Sequence, residues 1–393
     1  MNATQTSRRA GSNVRLFASS TTWIEPEAIR QLYVTTQLDA VRFVAGFPNL
    51  QPGRRGPSGC AVVTDSHLYP AFLGGDVGCG MALFQTSLTR RALDLERWSV
   101  VRFDLEHPWE GDAVSRLMEA GLTPGRFAHE LGRLADGTHF AELLVVEKVR
   151  DPAAFAQLGL ASSELLALVH AGSGELGQSM LEEHLENNGE HGLAVDSEAA
   201  TRYLLQHDYA VQWAGVSRQV VAERLLEPLG GTARRVLDCP HNRIACRRHG
   251  AGQVWVHRKG AIASERGPVV IAGTRGSFSY LVLPCSDEEH HAWSLAHGAG
   301  RKWPRSESRL RMRQRYTRAD LEHTPLGGRV ICEQRDRLFD EAPGAFKDID
   351  GVIADLAHDG LLRVVATLRP VFTYRMRSAA AWSAPLRGAF GRR

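Results

Sequence analysis

The clearest periodic stretch of the chain lies between Ser197 and Pro228. There Ala200, Leu204, Val211, Ala214, Val221 and Leu225 recur at roughly three- to four-residue spacing, which predicts one long helix with a buried face. Gly230 and Gly231 end it. Residues 111–135 and 152–169 are also predicted as helical. Between Thr22 and Gly80, apolar runs alternate with turns such as FPNLQPGRRGPSG, predicting short strands and loops. From 232 to 285, the runs RRVLDC, VWVHR, PVVIAG and FSYLVL are separated by glycine-bearing turns and predict strands. Near the C-terminus, DIDGVIADLAHDG reads as a helix and LLRVVATLRPVFTYR as a strand. Residues 1–20 are expected to be a flexible segment, 21–375 the folded body and 376–393 a tail. No internal repeat is present, and the mixed order of elements predicts an α+β fold rather than a regular βαβ series.

Composition narrows the class. At ~150 residues per domain, 393 residues predict two or three domains. An apolar fraction of 43% and a charged fraction of 23% exclude a disordered chain. No window approaches the ~18 consecutive apolar residues of a membrane span, and no apolar segment follows Arg8 and Arg9 as a secretory signal would require. Six cysteines without a CxxC pair make neither a disulfide framework nor a zinc ribbon, so a cytoplasmic location is expected.

The net charge of +3 conceals an uneven distribution, with 43 arginines and 4 lysines. A genome rich in arginine codons accounts for the overall bias but not for local density. Arg301–Arg318 holds eight basic residues in eighteen and one acid, Glu307. Such self-repulsion is best tolerated near an anion, and the planar guanidinium suits phosphate. A solvated helix face is the alternative reading.

Glycine, at 38 of 393 residues, is above the ~7% of an average protein. Its clusters coincide with chemically capable side chains in five segments: GGDVGCGM, DGTHFAE, VHAGSGELG, DCPHN and AHGAGR. Taken alone, Asp76 and Cys79 read as a structural cysteine beside an N-cap aspartate. With His139, His170 and His241 they become a plausible donor set of five, one more than a single tetrahedral site takes. Two cations sharing a bridging ligand fit that count. Ligand softness alone points to zinc, and nothing in the spacing selects manganese. His184, His191, His290 and His291 lie in acidic stretches expected to be exposed and are set aside. In AHGAGR, His297 precedes Gly298, Ala299 and Gly300, whose N–H groups could cradle a phosphate. An imidazole facing a polyphosphate invites attack at phosphorus; a further metal ligand or a structural role are the other readings. No Walker A or dinucleotide-binding glycine motif occurs.

In order along the chain, GGDVGCGM, GTHFAE, HAGSGELG, CPHN, VHRKGA, HGAGR and EAPGAFKDID resemble the RtcB family of RNA ligases, and in detail its release-factor-H-coupled branch. The resemblance runs from about Phe47 to Arg375. It implies a single α+β domain with its metal site in a central cleft, in place of two or three domains. It implies joining of RNA 3′-phosphate or 2′,3′-cyclic phosphate ends to 5′-hydroxyl ends, with GTP and two Mn(II) ions. By motif match, Asp76, Cys79 and His139 would hold one ion, and Cys79, His170 and His241 the other. His297 would be the guanylylated nucleophile. Nucleotide contacts would fall on Thr138, His139, Phe140, Ala141, Glu142, His241, Asn242, Ala272, Gly273, Thr274, Arg275, Ser279, His297, Gly298, Ala299, Gly300, Phe346 and Arg375. RNA contacts would fall on Arg258, Lys259, Arg301, Lys302 and Arg305. The same resemblance implies RNA repair beside a release-factor-like partner.

The chain departs from the family pattern. FPNLQPG stands where the family usually reads Pro-Asp-Val-His, so an acid and a histidine are missing. Thr138 replaces an asparagine, Gly174 an arginine, Ser217 an asparagine, and Arg375 the lysine that reads guanine. A metal-dependent 2′,3′-cyclic phosphoesterase would need the five donors but not HGAGR. A non-catalytic RNA-end-binding, translation-associated protein would need the basic run but not the donors.

Overall fold

The computed structural model describes residues 13–134, 138–265, 267–285 and 289–376. Two sheets face each other across the main apolar core. The larger has eight strands. Seven run in the order Val269–Ile271, Ser279–Pro284, Leu362–Met376, Phe140–Val149, Glu164–Ala171, Gly80–Thr89 and Ala233–Pro240, and Arg329–Cys332 pairs in parallel with Leu362–Met376. The smaller runs Val14–Leu16, Val41–Gln51, Ser58–Thr64, Gly252–Lys259 and Asn242–His249. Phe47, Val63 and Val256 from the small sheet pack with Ile271, Val282 and Leu362 from the large one. This is the mixed α+β architecture that the order of elements predicts, in one domain rather than two or three.

The predicted long helix is Glu198–Leu226, capped by the Ser197 side chain accepting from Ala200 N. It packs Val221, Leu225 and Leu226 against Ala82, Phe84 and Val169 of the large sheet. Gly230, past its end, has a φ of 73°, the left-handed region that glycine enters at little cost.

Other expectations fail for physical reasons. Within 152–169 only Pro152–Gln157 is helical, and Glu164–Ala171 is a strand inside the large sheet. Its unbroken apolar run, buried on both faces, lacks the alternation that marks a half-exposed strand. Within 111–135 only Ala113–Glu119 and the short turn Ala128–Glu130 are helical among the described residues. A helix at Pro26–Thr35 was hidden in the loop-like N-terminal region. Val14–Leu16 already pairs with Val44–Gly46, so part of the segment expected to be flexible is built into the small sheet. Residues 1–12 of that segment and the tail beyond Met376 lie outside the described residues.

His184 and His291 are buried rather than exposed: His184 packs beside Tyr203 and His291 beside Phe17. No helix among the described residues is long and apolar enough to cross a membrane.

Candidate metal and nucleotide site

Sheet register assembles the donor set. Four neighbouring strands of the large sheet end at one edge. His170 lies opposite Met81 on one side and Phe140 on the other, and Gly80 lies opposite Pro240. That alignment brings Cys79, His139, His170 and His241 to the same rim from positions scattered over more than 160 residues. His241 sits where the chain leaves strand Ala233–Pro240 of the large sheet and enters strand Asn242–His249 of the small one.

The five predicted donors form a continuous chain of contacts. Asp76 Oδ2 lies 3.2 Å from His139 Nε2, and His139 Nε2 lies 3.6 Å from Cys79 Sγ. His170 Nε2 is 3.2 Å from the same sulfur and 3.3 Å from His241 Nε2. All four side chains from Cys79 to His241 are nearly inaccessible to solvent. Asp76 Oδ1 is buried without a hydrogen-bond partner among the described residues. Gly172 makes room for it, since a Cβ there would come 1.9 Å from that oxygen. Three imidazole nitrogens, a sulfur and an orphaned carboxylate oxygen converging at one place fit a divalent cation or a pair of them.

Electrostatics agree with that use. Burial disfavours charge on Asp76, but His139 and the Cys79 thiol hold its carboxyl down at about 2. Burial and the neighbouring Asp76 push the Cys79 thiol well up. A bound cation reverses that preference, because a coordinated thiol is deprotonated. Burial and neighbouring histidines push His170 and His241 well below the ordinary histidine range, leaving neutral rings with lone pairs to give.

Arg218 braces the rim. Fully buried, it donates to Asp238 through Nε and Nη2 at 2.7 and 2.9 Å. Its Nη1 donates to Gly78 O and Ala171 O, the carbonyls next to Cys79 and His170. One side chain thereby holds two of the donor loops in fixed relation.

His297 stands beside this cluster. It follows strand Ser294–Ala296, which pairs with Ala261–Ala263. Its ring centroid is 4.5 Å from that of His241. Nδ1 lies 2.7 Å from Gly260 O, the geometry of an N–H donated to a carbonyl, so Nε2 carries the lone pair. Asn49 Nδ2 donates to the same carbonyl at 2.9 Å and lies beside Nδ1, at 2.8 Å. Burial pushes His297 down to about 4. Gly300, at a φ of 70°, lets the HGAGR turn press on Asn49, where a Cβ would sit 2.3 Å from Asn49 O.

One cleft is lined by donors of the cluster, by His297 and by aromatic and charged side chains. Asp76, Cys79, His170 and His241 line one part, with Asn242, Thr138, Phe140 and Glu142 beside them. The Ala272–Arg275 turn, His297–Arg301, Phe346 and Arg375 line the rest. Three candidate contacts are not part of the lining. His139 sits in the donor cluster against Asp76 and Cys79. Ala141 is fully buried, and Ser279 Oγ accepts from Gly273 N and so shapes the turn.

The candidate RNA contacts divide. Arg258 is fully buried and donates to Ser294 Oγ, Trp293 O and Glu265, so it cannot meet a phosphate in the cleft. Lys259 donates to Gly56 O and is not part of the cleft lining. Arg301 does line it. The basic run is also less exposed as charge than its sequence suggests. Six of its eight basic residues, Arg301, Arg305, Arg309, Arg311, Arg313 and Arg318, form ion pairs with acids of the same fold. Helix Arg305–Arg315 carries five of the arginines and rests on Asp336 and Asp340, acids that lie far along the chain.

Asn49, Gln51, Arg218 and Glu341 belong to the site but were not predicted as parts of it. Asn49 and Gln51 occupy the segment where the motif pattern breaks, and Gln51 Oε1 accepts from Arg301 N at 2.6 Å. Glu341, itself buried, takes Arg301 at 2.9 Å and Arg375 at 3.4 Å.

Comparison with known proteins decides the family. The profile of the tRNA-splicing ligase RtcB family matches residues 120–376, well over half of the chain. The chain belongs to the RtcB family. It is 40% identical to the RNA-splicing ligase RtcB2 of Escherichia coli strain ATCC 25922, over 91% of this chain and 94% of that protein. It is 26% identical to the RNA-splicing ligase RtcB of Escherichia coli K12, over 88% and 94%. The tRNA-splicing ligase RtcB of Pyrococcus abyssi is 27% identical over 74% of this chain, but that match covers 37% of the archaeal protein. Asp76, Cys79, His170, His241 and His297 thus line one cleft of an RtcB-family fold, with His139 beside Asp76 and Cys79.

Proposed function

We propose that this protein is an RNA ligase that joins 3′-phosphate or 2′,3′-cyclic phosphate ends to 5′-hydroxyl ends, consuming GTP and requiring Mn(II). The observation that carries this reading is the contact of His297 with the donor cluster, at 4.5 Å between the rings of His241 and His297. Asp76, Cys79 and His139 would hold one ion, and Cys79, His170 and His241 a second, with Cys79 bridging. Bound there, the ions would neutralise charge on the phosphoryl oxygens.

The rest of the chemistry belongs to the chain's own groups. Gly260 O holds the Nδ1 proton of His297, and the neutral ring presents Nε2 to the α-phosphorus of GTP. A P–N bond forms, the bond to the β-phosphate oxygen breaks, and pyrophosphate leaves with the electron pair. An oxygen of the RNA 3′-phosphate then attacks the same phosphorus. The P–N bond breaks, His297 is restored, and RNA-(3′)pp(5′)G forms. Finally the 5′-hydroxyl attacks the RNA-borne phosphate, loses its proton and expels GMP. A cyclic end must first be opened by water to a 3′-phosphate. Thr138, Phe140, Glu142, Asn242, the Ala272–Arg275 turn, Phe346 and Arg375 would position the nucleotide, and Arg301, Lys302 and Arg305 the RNA near it. In the cell this activity would serve RNA repair in the cytoplasm, beside a release-factor-like partner.

An assay on defined ends tests the reading. RNA ending in a 2′,3′-cyclic phosphate, mixed with a 5′-hydroxyl strand, GTP and Mn(II), should yield joined product, with one GMP and one pyrophosphate released per joint. Opening of the cyclic end with no joining and no GTP consumed would make the protein a phosphoesterase instead.

A further inference from the structure

The small sheet breaks its ladder beside His297. Gly46 pairs with Cys60 and Gln51 with Ser58, so Phe47, Pro48, Asn49 and Leu50 bulge opposite Gly59 alone. Gly59, at a φ of 86°, makes room for them: a Cβ there would come 2.8 Å from Asn49 Oδ1 and from Leu50 Cα. Outside the ladder, the buried carbonyls of the bulge need another donor. Lys347 supplies it. Its Nζ donates to Pro48 O at 2.8 Å and to Leu50 O at 2.6 Å. These two carbonyls flank Asn49, the residue that donates to Gly260 O and lies beside His297 Nδ1.

The same residue is tied to the turn that follows His297. Lys347 N donates to Gly300 O and Lys302 N to Ala345 O, both at 2.9 Å, with Arg301 and Phe346 bridged between them. Phe346 lines the cleft, while the next side chain, Lys347, runs into the bulge. Three segments distant in sequence therefore meet at Lys347: the bulge that carries Asn49, the turn that carries His297, and the strip that carries Phe346. Lys347 is 6% exposed, and burial brings its ammonium down to about 7 against the opposing pull of Glu25. Methionine would be less costly to bury but would leave two buried carbonyls unpaired. No hydrogen bond joins the Lys347 side chain to His297 or to the donor cluster among the described residues, so its influence on the ring passes through Asn49.

We infer that Lys347 is a positioning residue for the nucleophile: by fixing Pro48 O and Leu50 O it holds Asn49 against the Gly260 carbonyl, in the arrangement that keeps the proton on His297 Nδ1 and leaves Nε2 bare. The inference rests on the reading of His297 as the nucleophile and deepens it. An imidazole attacks through the nitrogen without a proton, and the partner of the other nitrogen decides which one that is. A bulge free to shift would move Asn49 and loosen the hold of Gly260 O on Nδ1. A fraction of the rings would then carry the proton on the nitrogen that must attack.

The test is a double-mutant cycle of Lys347→Met and Asn49→Ala in the full-length protein, read in two ways. Nitrogen NMR of histidine-labelled, zinc-loaded protein reports the His297 ring whether or not the protein is a ligase, with its signals identified by their loss in His297→Ala. The wild-type ring should be one tautomer, protonated at Nδ1, and Lys347→Met should show a mixture of two. Transfer of GMP to His297 at saturating GTP should slow about tenfold or more in Lys347→Met, with metal content unchanged. In the Asn49→Ala background the same substitution should slow it less than about twofold. Lys347→Gln, whose shorter amide donates from one nitrogen, takes the place of the methionine variant if that variant does not fold. A wild-type tautomer in the folded variant, or an equal loss of rate with and without Asn49, overturns the positioning role. A mixed tautomer in the variant, with no GMP on the wild-type protein, would sink the ligase reading and leave the role of Lys347 standing.

Discussion

His241 and His297 face each other with ring centroids 4.5 Å apart, although 56 positions separate them in sequence. The first closes the donor cluster and the second opens the phosphate-cradling turn. Their contact is made by two sheets: His241 sits where the chain passes from one to the other, and Gly260, at the end of a small-sheet strand, holds the Nδ1 of His297. Whatever disturbs this juncture should affect metal binding and nucleophile orientation separately, and that separation is measurable.

Gly172→Ala isolates the metal side. A Cβ at 172 would come 1.9 Å from Asp76 Oδ1, so the carboxylate must swing away. Bound metal per protein should fall, with binding weakened about 10- to 100-fold or more. Elemental analysis after gel filtration measures it, and full metal retention would show that Asp76 is not a ligand.

Asn49→Ala isolates the nucleophile side. The side chain bonds Gly260 O and lies against His297 Nδ1, with no hydrogen bond to the donor cluster among the described residues. Guanylylation should slow about 10- to 100-fold while metal content stays at the wild-type level. A variant that labels at the wild-type rate would remove Asn49 from the support of His297.

Arg218→Met strips Asp238 of its buried partner and frees Gly78 O and Ala171 O. Breaking one partner of a buried ion pair costs roughly 3–5 kcal/mol. A large drop in thermal midpoint is expected, and residual folded protein should bind metal more weakly. A shift in stability with metal affinity unchanged would mean that Arg218 braces the sheet but not the donors.

Glu142 should leave a pH signature. Its folded value of about 7 is above the ordinary 4.5, because burial penalises the carboxylate. Below pH 4.5 both folded and unfolded chains hold the proton and the group is silent. As pH rises from 4.5 through 7 the unfolded chain ionises first, so the folded state loses stability, on the order of 3 kcal/mol in full. Glu142→Gln lacks that loss. Its stability relative to wild type should therefore climb across this window and then level off. Chemical unfolding of the metal-free proteins at several pH values measures the difference, and a flat difference would show that Glu142 is not destabilised by burial.

Much of the site was readable because its donors sit in short glycine-marked segments whose chemistry is local. Cys79, His139, His170, His241 and His297 needed no knowledge of pairing to be singled out, and strand register then brings them to one rim. What sequence could not show depends on contacts between distant segments. The Glu164–Ala171 strand has no alternation because both faces are covered. The Arg301–Arg318 run looks like an unbalanced cation until Asp336, Asp340 and Glu341 fold against it. Arg258 follows a histidine in a phosphate-like motif, yet its strand turns it inward to Glu265. Asn49 registered only as a break in a pattern, because its partner Gly260 lies 211 residues away.

The central claim is that His297 is the nucleophile of a metal-dependent guanylyl transfer. Peptide mass spectrometry of the protein after incubation with GTP and Mn(II) addresses it most directly. The account predicts GMP attached to His297, absent when the metal is chelated and absent from His297→Ala protein that still binds metal. GMP on any other residue, or an adduct that survives the substitution, would contradict it.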